Sequence, residues 1–538
     1  MDPENDEGNN EYKLKLLNLT EIRLKELTTQ MRYRCSEEGN GECIYTIGVK
    51  DDGEMSGISD EELKETMLNL NKVAKNNNYV ISTINKTKVT KNKNIYEFLI
   101  REKNNDKYID IKICVAGNVD SGKSSLVGIL TNDIKDDGRG LARSSIFNFI
   151  HELKTGRTSS ISHNILGFDY NGNAVNNSSM KLSWTEIVNR SSKIISFFDL
   201  CGHEKYLKTT ILGLSSSLPD ICFILVSSNA GITNMTKEHI MLCISLKIPF
   251  IIIISKIDIC KERQNVLEKT ITEVNKILKH PILRRIPLTV KNADDILLSV
   301  KNIHTLSMTP IFHISSVTGE GINNLKTFLN LVSKKKVNYN VCDDNIEFHV
   351  DQIFSVNGFG NVLGGHLLSG KIKVGDKLFI GPFTNNNYEQ IHIKSIYCKK
   401  TPLQSVSYGS YVCLGIKKID IVNKIKKGNV VVSENNKLTV RKFTAKVTVL
   451  KSSTTSIKEG YEPIFNGNSI RTAVKILRIY DKINSRGIIN NDDNILRSCD
   501  IATVDFVFLY KPQFIKKGLN FVISEGKCKI SGEVLFTE

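Results

Sequence analysis

Gly117-Asn118-Val119-Asp120-Ser121-Gly122-Lys123-Ser124-Ser125 stands between an apolar run, 111–116, and a helix-like run, 126–130, and this placement reads as a phosphate-binding loop. Its glycines let the backbone curl so that successive N–H groups face phosphate oxygens. Lys123 adds a point charge and Ser124 a hydroxyl for Mg²⁺. Few positions of such a loop are constrained, so alone it suits ATP or GTP and many reactions. The segments around it decide.

From 111 to about 333 short apolar strands (111–116, 193–200, 221–227, 250–255, 310–315) alternate with helical periods (236–247, 262–279, 323–333). That alternation predicts a mostly parallel sheet covered by helices, the nucleotide domain over 111–335. Beyond 345 the helical periods fade into short β-rich runs with glycine turns, which predicts two β-barrels, 345–440 and 441–538. Residues 1–110 read as an α+β extension. Leu14, Leu16, Leu17, Leu19, Ile22, Leu24 and Leu27 suit a helix, a strand-turn-helix follows over 44–70, and strands are expected at 79–84 and 95–100. Ser59-Asp60-Glu61-Glu62 has the spacing of a capping box, in which serine and glutamate satisfy helix N-terminal donors reciprocally.

At 538 residues the chain should divide into three or four domains, on a scale of about 150 residues each. Forty per cent apolar and 24% charged residues fit a globular protein, and no apolar run approaches bilayer length. The start, MDPENDEGNN, lacks the basic-then-apolar order of a secretory signal, so a cytoplasmic protein without a membrane partner is expected. Twelve cysteines are scattered without metal or redox spacing and read as reduced, buried side chains. The net charge of +16 suggests an acidic partner such as RNA, although a general richness in Lys, Asn and Ile weakens that signal. Lys334-Lys335-Lys336 reads as a solvated linker.

Asp199-Leu200-Cys201-Gly202-His203-Glu204 ends the next long strand after the loop. There an aspartate can hold Mg²⁺ through water, and a glycine N–H can sense a γ-phosphate and release the segment behind it when the phosphate leaves. Ser255-Lys256-Ile257-Asp258 follows the apolar strand 250–254, where ligands of open α/β sheets lie. A carboxylate there accepts guanine N1–H and the exocyclic amine, which adenine does not offer in that arrangement. Ser315-Ser316-Val317 ends the following strand and offers backbone N–H groups to guanine O6.

Together these residues resemble the translational GTPases, the class of elongation factor Tu. The specific marks are Gly117-Asn118-Val119-Asp120 and the Gly202-His203 pair. In the barrels they are 358–365, Lys371-Ile372-Lys373-Val374-Gly375-Asp376 and Ser469-Ile470-Arg471-Thr472-Ala473. Within that class the chain is similar to the branch of GTP-binding proteins 1 and 2. The similarity lies in Gly48-Val49-Lys50-Asp51-Asp52-Gly53, Gly138-Arg139-Gly140-Leu141-Ala142-Arg143, Gly156-Arg157-Thr158-Ser159-Ser160, Ile165-Leu166-Gly167-Phe168-Asp169, 202–210 and 228–232. It covers nearly the whole chain from about residue 45.

The resemblance implies an α/β P-loop GTPase domain, two barrels, and GTP or GDP with Mg²⁺ as ligands. Phosphate contacts would come from Gly117, Asn118, Val119, Asp120, Ser121, Gly122, Lys123, Ser124, Ser125 and Gly202. Ser124, Thr158 and Asp199 would serve the metal, and Thr158 would be ordered only while the γ-phosphate is present. Ser255, Lys256, Asp258, Ser315, Ser316 and Val317 would hold guanine, and His203 would position or activate the attacking water. The implied role is that of a monomeric translation-factor-like switch acting on the ribosome with tRNA, or in ribosome rescue or messenger-RNA surveillance. Its shape would change through 139–167 and 202–217. The alternative is a GTP-dependent adaptor in RNA turnover with little hydrolysis; activation of a metabolic enzyme fits the extension less well.

Two departures from the class bear on mechanism. Ser255 stands where Asn or Thr is usual, a shorter side chain for bracing the loop. Arg157 precedes the metal-binding Thr where elongation factors often carry Ile, so with Val119 it cannot form a simple apolar gate before the histidine. Either Arg157 swings away, or it lies near the γ-phosphate and stabilises transition-state charge. The first is preferred, because an arginine worth on the order of 10³ in rate sits poorly with ribosomal gating.

Overall fold

The computed structural model describes the chain except residues 1–2, 5–7, 104–107, 145, 148–151, 153–157, 159, 177–181, 282, 335–344, 357–359, 418–423, 451–455, 485–493 and 526. Arg157, Gly156, Ser159, Lys335, Lys336, Gly358 and Phe359 therefore lie outside the described residues.

The N-terminal part builds a sheet from β1 (Asn10–Lys13), β2 (Glu42–Ile47), β3 (Tyr79–Lys88) and β4 (Asn94–Glu102), in the order β1-β2-β4-β3. The helices Glu21–Arg32 and Asp60–Asn76 accompany it, and the second opens on the expected capping box: Glu62 N–H donates to Ser59 Oγ at 3.3 Å and Ser59 N–H to Glu62 Oε2 at 3.0 Å. The leucine-rich start differs from expectation, for residues 14–19 are not helical. Thr20 accepts from the Arg23 N–H at 3.3 Å and starts the helix there, after Asn18 turns the chain with φ 50°. Apolar spacing alone does not locate a cap, whereas a threonine hydroxyl does.

Seven strands form the central sheet: β5 (Ile109–Gly117), β6 (Ser162–Phe168), β7 (Lys193–Asp199), β8 (Ile221–Ser227), β9 (Phe250–Ser255), β10 (Ile286–Thr289) and β11 (Met308–His313). Their order is β10-β11-β9-β8-β5-β7-β6, parallel except for β6 against β7. The sheet is mixed only at that edge, as the α/β reading requires. Helices on both faces bury its side chains, and Ile251 to Ile254 have no exposure at all. Such continuous apolar strands are what a sheet covered on both faces demands.

Buried charge joins the N-terminal sheet to this layer. Glu42 on β2 pairs with Arg101 of β4 at 2.9 Å and with Lys193, the first residue of β7, at 2.8 Å. Both cations also donate to the Asn330 carbonyl, at 2.5 and 2.8 Å, at the end of the helix Ile322–Leu331. Ile44 and Leu99 of the extension lie in the same apolar cluster as Ile111, Ile195 and Phe328.

Two closed barrels follow. The first ring runs Lys377–Gly381, Val430–Val432, Glu347–Val356, Gly360–Ser369, Tyr411–Ile416 and Glu389–Cys398, and the last strand closes on the first. In the second, Lys442–Val449, Ile501–Phe508, Ile470–Ile483, Ile464–Gly467, Asn520–Glu525 and Lys527–Thr537 close around Phe443, Phe465, Phe506, Phe508 and Phe521. Closure leaves neither ring with an unpaired long edge.

Both barrels dock on the central domain. Lys399 of the first reaches Asp110 at 2.6 Å, and Tyr411 meets the His163 ring edge-on at 6.0 Å, with His163 stacked on Phe198 at 4.5 Å. From the second, Leu450 and Val522 enter the apolar cluster of Leu214, Ile240 and Phe250. The strand Ile464–Gly467 lies against the helix Leu207–Ser216. Among the described residues no helix is long and apolar enough to cross a membrane.

Candidate nucleotide site

Where β5 ends at Gly117, the chain turns through Asp120, in the left-handed region at φ 57°, and enters the helix Lys123–Asn132. Aspartate tolerates that conformation better than most residues with a Cβ. The loop is held from inside: Ser121 Oγ donates to the Asn118 carbonyl at 2.8 Å and Lys123 Nζ to the same oxygen at 2.7 Å. Burial lowers the pKa of Lys123, while Asp199, Cys201 and Asp120 oppose that shift.

Beside the loop, β7 delivers Asp199 with no exposed surface. Ser124 Oγ donates to Asp199 Oδ2 at 2.5 Å, and Thr158 Oγ1 lies 2.9 Å from Ser124 Oγ and 3.4 Å from Asp199 Oδ2. Asp199 Oδ1 is buried and takes no hydrogen bond among the described residues. Burial raises this carboxyl to about 6, against the opposing effects of Lys123, Ser124 and Thr158. Two hydroxyls converging on a carboxylate with one buried oxygen unanswered fit a hard divalent cation, which takes oxygen ligands.

Gly202 presses on the loop. A Cβ there would strike the Lys123 ammonium and come within 2.7 Å of the Gly117 carbonyl, so only glycine allows this approach. His203 is exposed at the mouth of the cleft, and its Nδ1 accepts from the Lys205 N–H at 3.1 Å. The cleft is lined by Val119, Lys123, Ser124, Thr158, Gly202 and His203, with Arg143 added.

The other end of the site is built by β9 and β11. Ser255 Oγ donates to the Ser121 carbonyl at 2.7 Å, so the shorter side chain still braces the phosphate loop. Lys256 adopts φ 60°, and its carbonyl accepts from Ser228 Oγ at 2.7 Å. Asp258 Oδ1 accepts from Ser315 Oγ at 2.6 Å, which orients the carboxylate. The Ser315 N–H is committed to the Glu320 carbonyl at 3.0 Å, so it is not presented to a base as expected. The N–H groups of Ser316 and Val317 donate to nothing among the described residues. Sequence reading gave no role to Ser228 or Arg143; the only signal for the latter was an arginine closely following two glycines.

A P-loop at the end of β5, a buried aspartate on the neighbouring β7 and a carboxylate loop at the end of β9, followed by two closed barrels, make the architecture of a GTPase of the translation-factor class. Residues 110–335 match the family model described as "Elongation factor Tu GTP binding domain". The chain belongs to the family of GTP-binding proteins 1 and 2. It is 36% identical over 544 aligned positions to GTP-binding protein 2 of Homo sapiens, covering 99% of this chain and 88% of that one. It is 38% identical over 513 positions to GTP-binding protein 1 of Xenopus laevis, covering 94% and 75%. Elongation factor 1-alpha of Pyrococcus horikoshii is 26% identical over 324 positions, covering 58% and 71%. In fold, the chain resembles apo translation elongation factor SelB of Methanococcus maripaludis, with a TM-score of 0.55 at 19% identity over 80% of each chain.

Proposed function

We propose that this GTPase is a Mg²⁺-dependent cytoplasmic switch that acts on the ribosome with tRNA, or in ribosome rescue or messenger-RNA surveillance. The observation that carries the reading is the convergence of Lys123, Ser124, Thr158, Asp199 and Gly202 on one cleft, with His203 exposed at its mouth. In this reading Lys123 leaves the Asn118 carbonyl for the β- and γ-phosphates, and the backbone N–H groups of 117–125 hold the remaining oxygens. Asp258, oriented by Ser315, accepts from guanine, with Lys256 and Ser255 shaping that end and the N–H groups of Ser316 and Val317 directed to O6. Ser124, Thr158 and Asp199 would hold Mg²⁺, which when bound neutralises charge on the β- and γ-phosphates.

His203 orients the attacking water once an external group, such as a ribosomal phosphate, turns its ring into the cleft. Loss of the γ-phosphate then frees Thr158 and Gly202. Each continues into a segment packed on a different barrel: β6, whose His163 meets Tyr411, and the helix Leu207–Ser216, which lies on Ile464–Gly467. A local charge change is thus converted into barrel movement. The net charge of +16 supports an RNA partner.

The test is phosphate release with and without ribosomes, for the parent and for His203→Ala, together with recovery of ribosomal particles on GTP-locked and GDP-bound protein. Stimulation of about tenfold or more that His203→Ala abolishes is expected. Failure to recover ribosomes with either form sinks the translational reading.

A further inference from the structure

After the phosphate-loop helix, residues 136–144 make a strap beside the site, anchored at the base end. The Asp136 N–H donates to the Ser316 carbonyl at 3.0 Å, joining the strap to the loop assigned to guanine. Asp137 Oδ1 then gathers the N–H groups of Arg139, Gly140 and Leu141 at 2.8, 3.0 and 3.1 Å, while Asp136 Oδ1 takes that of Ala142 at 3.2 Å. Two adjacent aspartates so start the short turn Leu141–Ser144. Its Ala142 carbonyl sits where Gly128 of the phosphate-loop helix has no side chain, so the turn seats directly on that helix. Gly140 is at φ 105°, and a Cβ there would run into the Arg143 guanidinium, which folds back across it. Arg143 also lines the same cleft as Lys123, Thr158, Gly202 and His203.

We propose that Arg143 is a second cationic ligand of the terminal phosphate, carried from the guanine end of the site to the γ-phosphate end by the strap 136–144. This rests on the reading of the cleft as the GTP site and deepens it. Lys123 comes from the phosphate-loop helix, Arg143 from the strap. A guanidinium there offers a planar fork of donors to the terminal phosphate oxygens, an effect of about tenfold and so well short of the roughly 10³ of an arginine finger that would bypass ribosomal gating. Since GDP lacks the group Arg143 would hold, the residue distinguishes the two nucleotides. Because the strap is pinned to Ser316, a correctly seated base helps aim the arginine.

The experiment measures GTP and GDP affinities and single-turnover GTP hydrolysis for the full-length parent, Arg143→Ala and Arg143→Lys. Expected for Arg143→Ala are GTP binding and hydrolysis each weakened about tenfold, with GDP affinity within about twofold of the parent; Arg143→Lys should recover part of both. GTP affinity and hydrolysis unchanged within about twofold overturn the proposal. Equal losses of GTP and GDP also overturn it, because the arginine would then serve the loop and not the γ-phosphate. The parent alone tests the underlying reading: if it neither binds nor hydrolyses GTP, the cleft is not the site and both fail.

Discussion

Ser255 Oγ on β9 donates to the Ser121 carbonyl of the phosphate loop at 2.7 Å, so one hydroxyl couples the two halves of the nucleotide site. Ser255 has 1% of its surface exposed, and its removal would leave that carbonyl unanswered. A lost hydrogen bond of this kind costs about 1 kcal/mol. Ser255→Ala should weaken GTP and GDP binding alike, by about three- to tenfold in fluorescence titrations. A change confined to GTP would contradict the bracing role.

Gly202→Ala should be more damaging. Its methyl would collide with the Lys123 ammonium and the Gly117 carbonyl, so Gly202 and the residues after it must move off the loop. Loss of GTP hydrolysis by about a hundredfold is expected, with GDP binding largely kept, as measured by rapid quench and equilibrium dialysis. Normal turnover in Gly202→Ala would mean that this approach plays no part in the reaction.

Asp199 gives a pH dependence with a definite sign. Burial pushes its carboxyl up to about 6, above the usual aspartate value of about 3.9, so the metal-free native state holds this proton more tightly than the unfolded chain does. The corresponding stability is fully present below about pH 4 and is lost as pH rises through about 6, on the order of 2–3 kcal/mol. In chelator, Asp199→Asn should therefore raise the melting temperature at pH 8, and raise it less at pH 5. With Mg²⁺ the parent should regain stability at pH 8 and the variant should not. Equal effects of the substitution at both pH values would refute this assignment.

At the seam between the extension and the central sheet, Glu42→Gln removes the carboxylate shared by Arg101 and Lys193, at 2.9 and 2.8 Å. Burial already pulls Lys193 down to about 8, with Glu42 opposing and Arg101 reinforcing the shift. Stripping one member from a buried ionic group typically costs about 3–5 kcal/mol. A loss of that size is expected in urea unfolding of the whole chain. If only a small N-terminal transition shifts, the extension and the central domain are not coupled as the geometry requires.

The apolar strands that carry the site were legible in the sequence because they are buried on both faces. The apolar runs 221–227 and 250–255 have the very bounds of β8 and β9. β10 was not: Ile286–Thr289 is a short, half-exposed edge strand containing Pro287, and so has little apolar signal. β6 escaped because its first residues, Ser162, His163 and Asn164, are polar; His163 is instead stacked between Phe198 and the first barrel. Within the site, motif spacing placed Lys123, Ser124 and Asp199, since strand ends bring such residues together in any sheet of this topology. Arg143 could not be placed that way. Its position depends on backbone capping by Asp136 and Asp137 and on the seat at Gly128, none of which follows from spacing.

Lys193 and Asp199 are the two ends of a single seven-residue strand. One end is neutralised by Glu42 of the extension, and the other carries the carboxylate that faces the nucleotide loop. A chain trimmed to start at Asp110 would keep the lysine and lose its counter-charge, along with Ile44 and Leu99 from the core. Removing the extension would thus leave a buried lysine with backbone carbonyls alone for partners, and a patch of the central core open to water. The strand that presents the carboxylate to the nucleotide is in this sense finished at its far end by the extension.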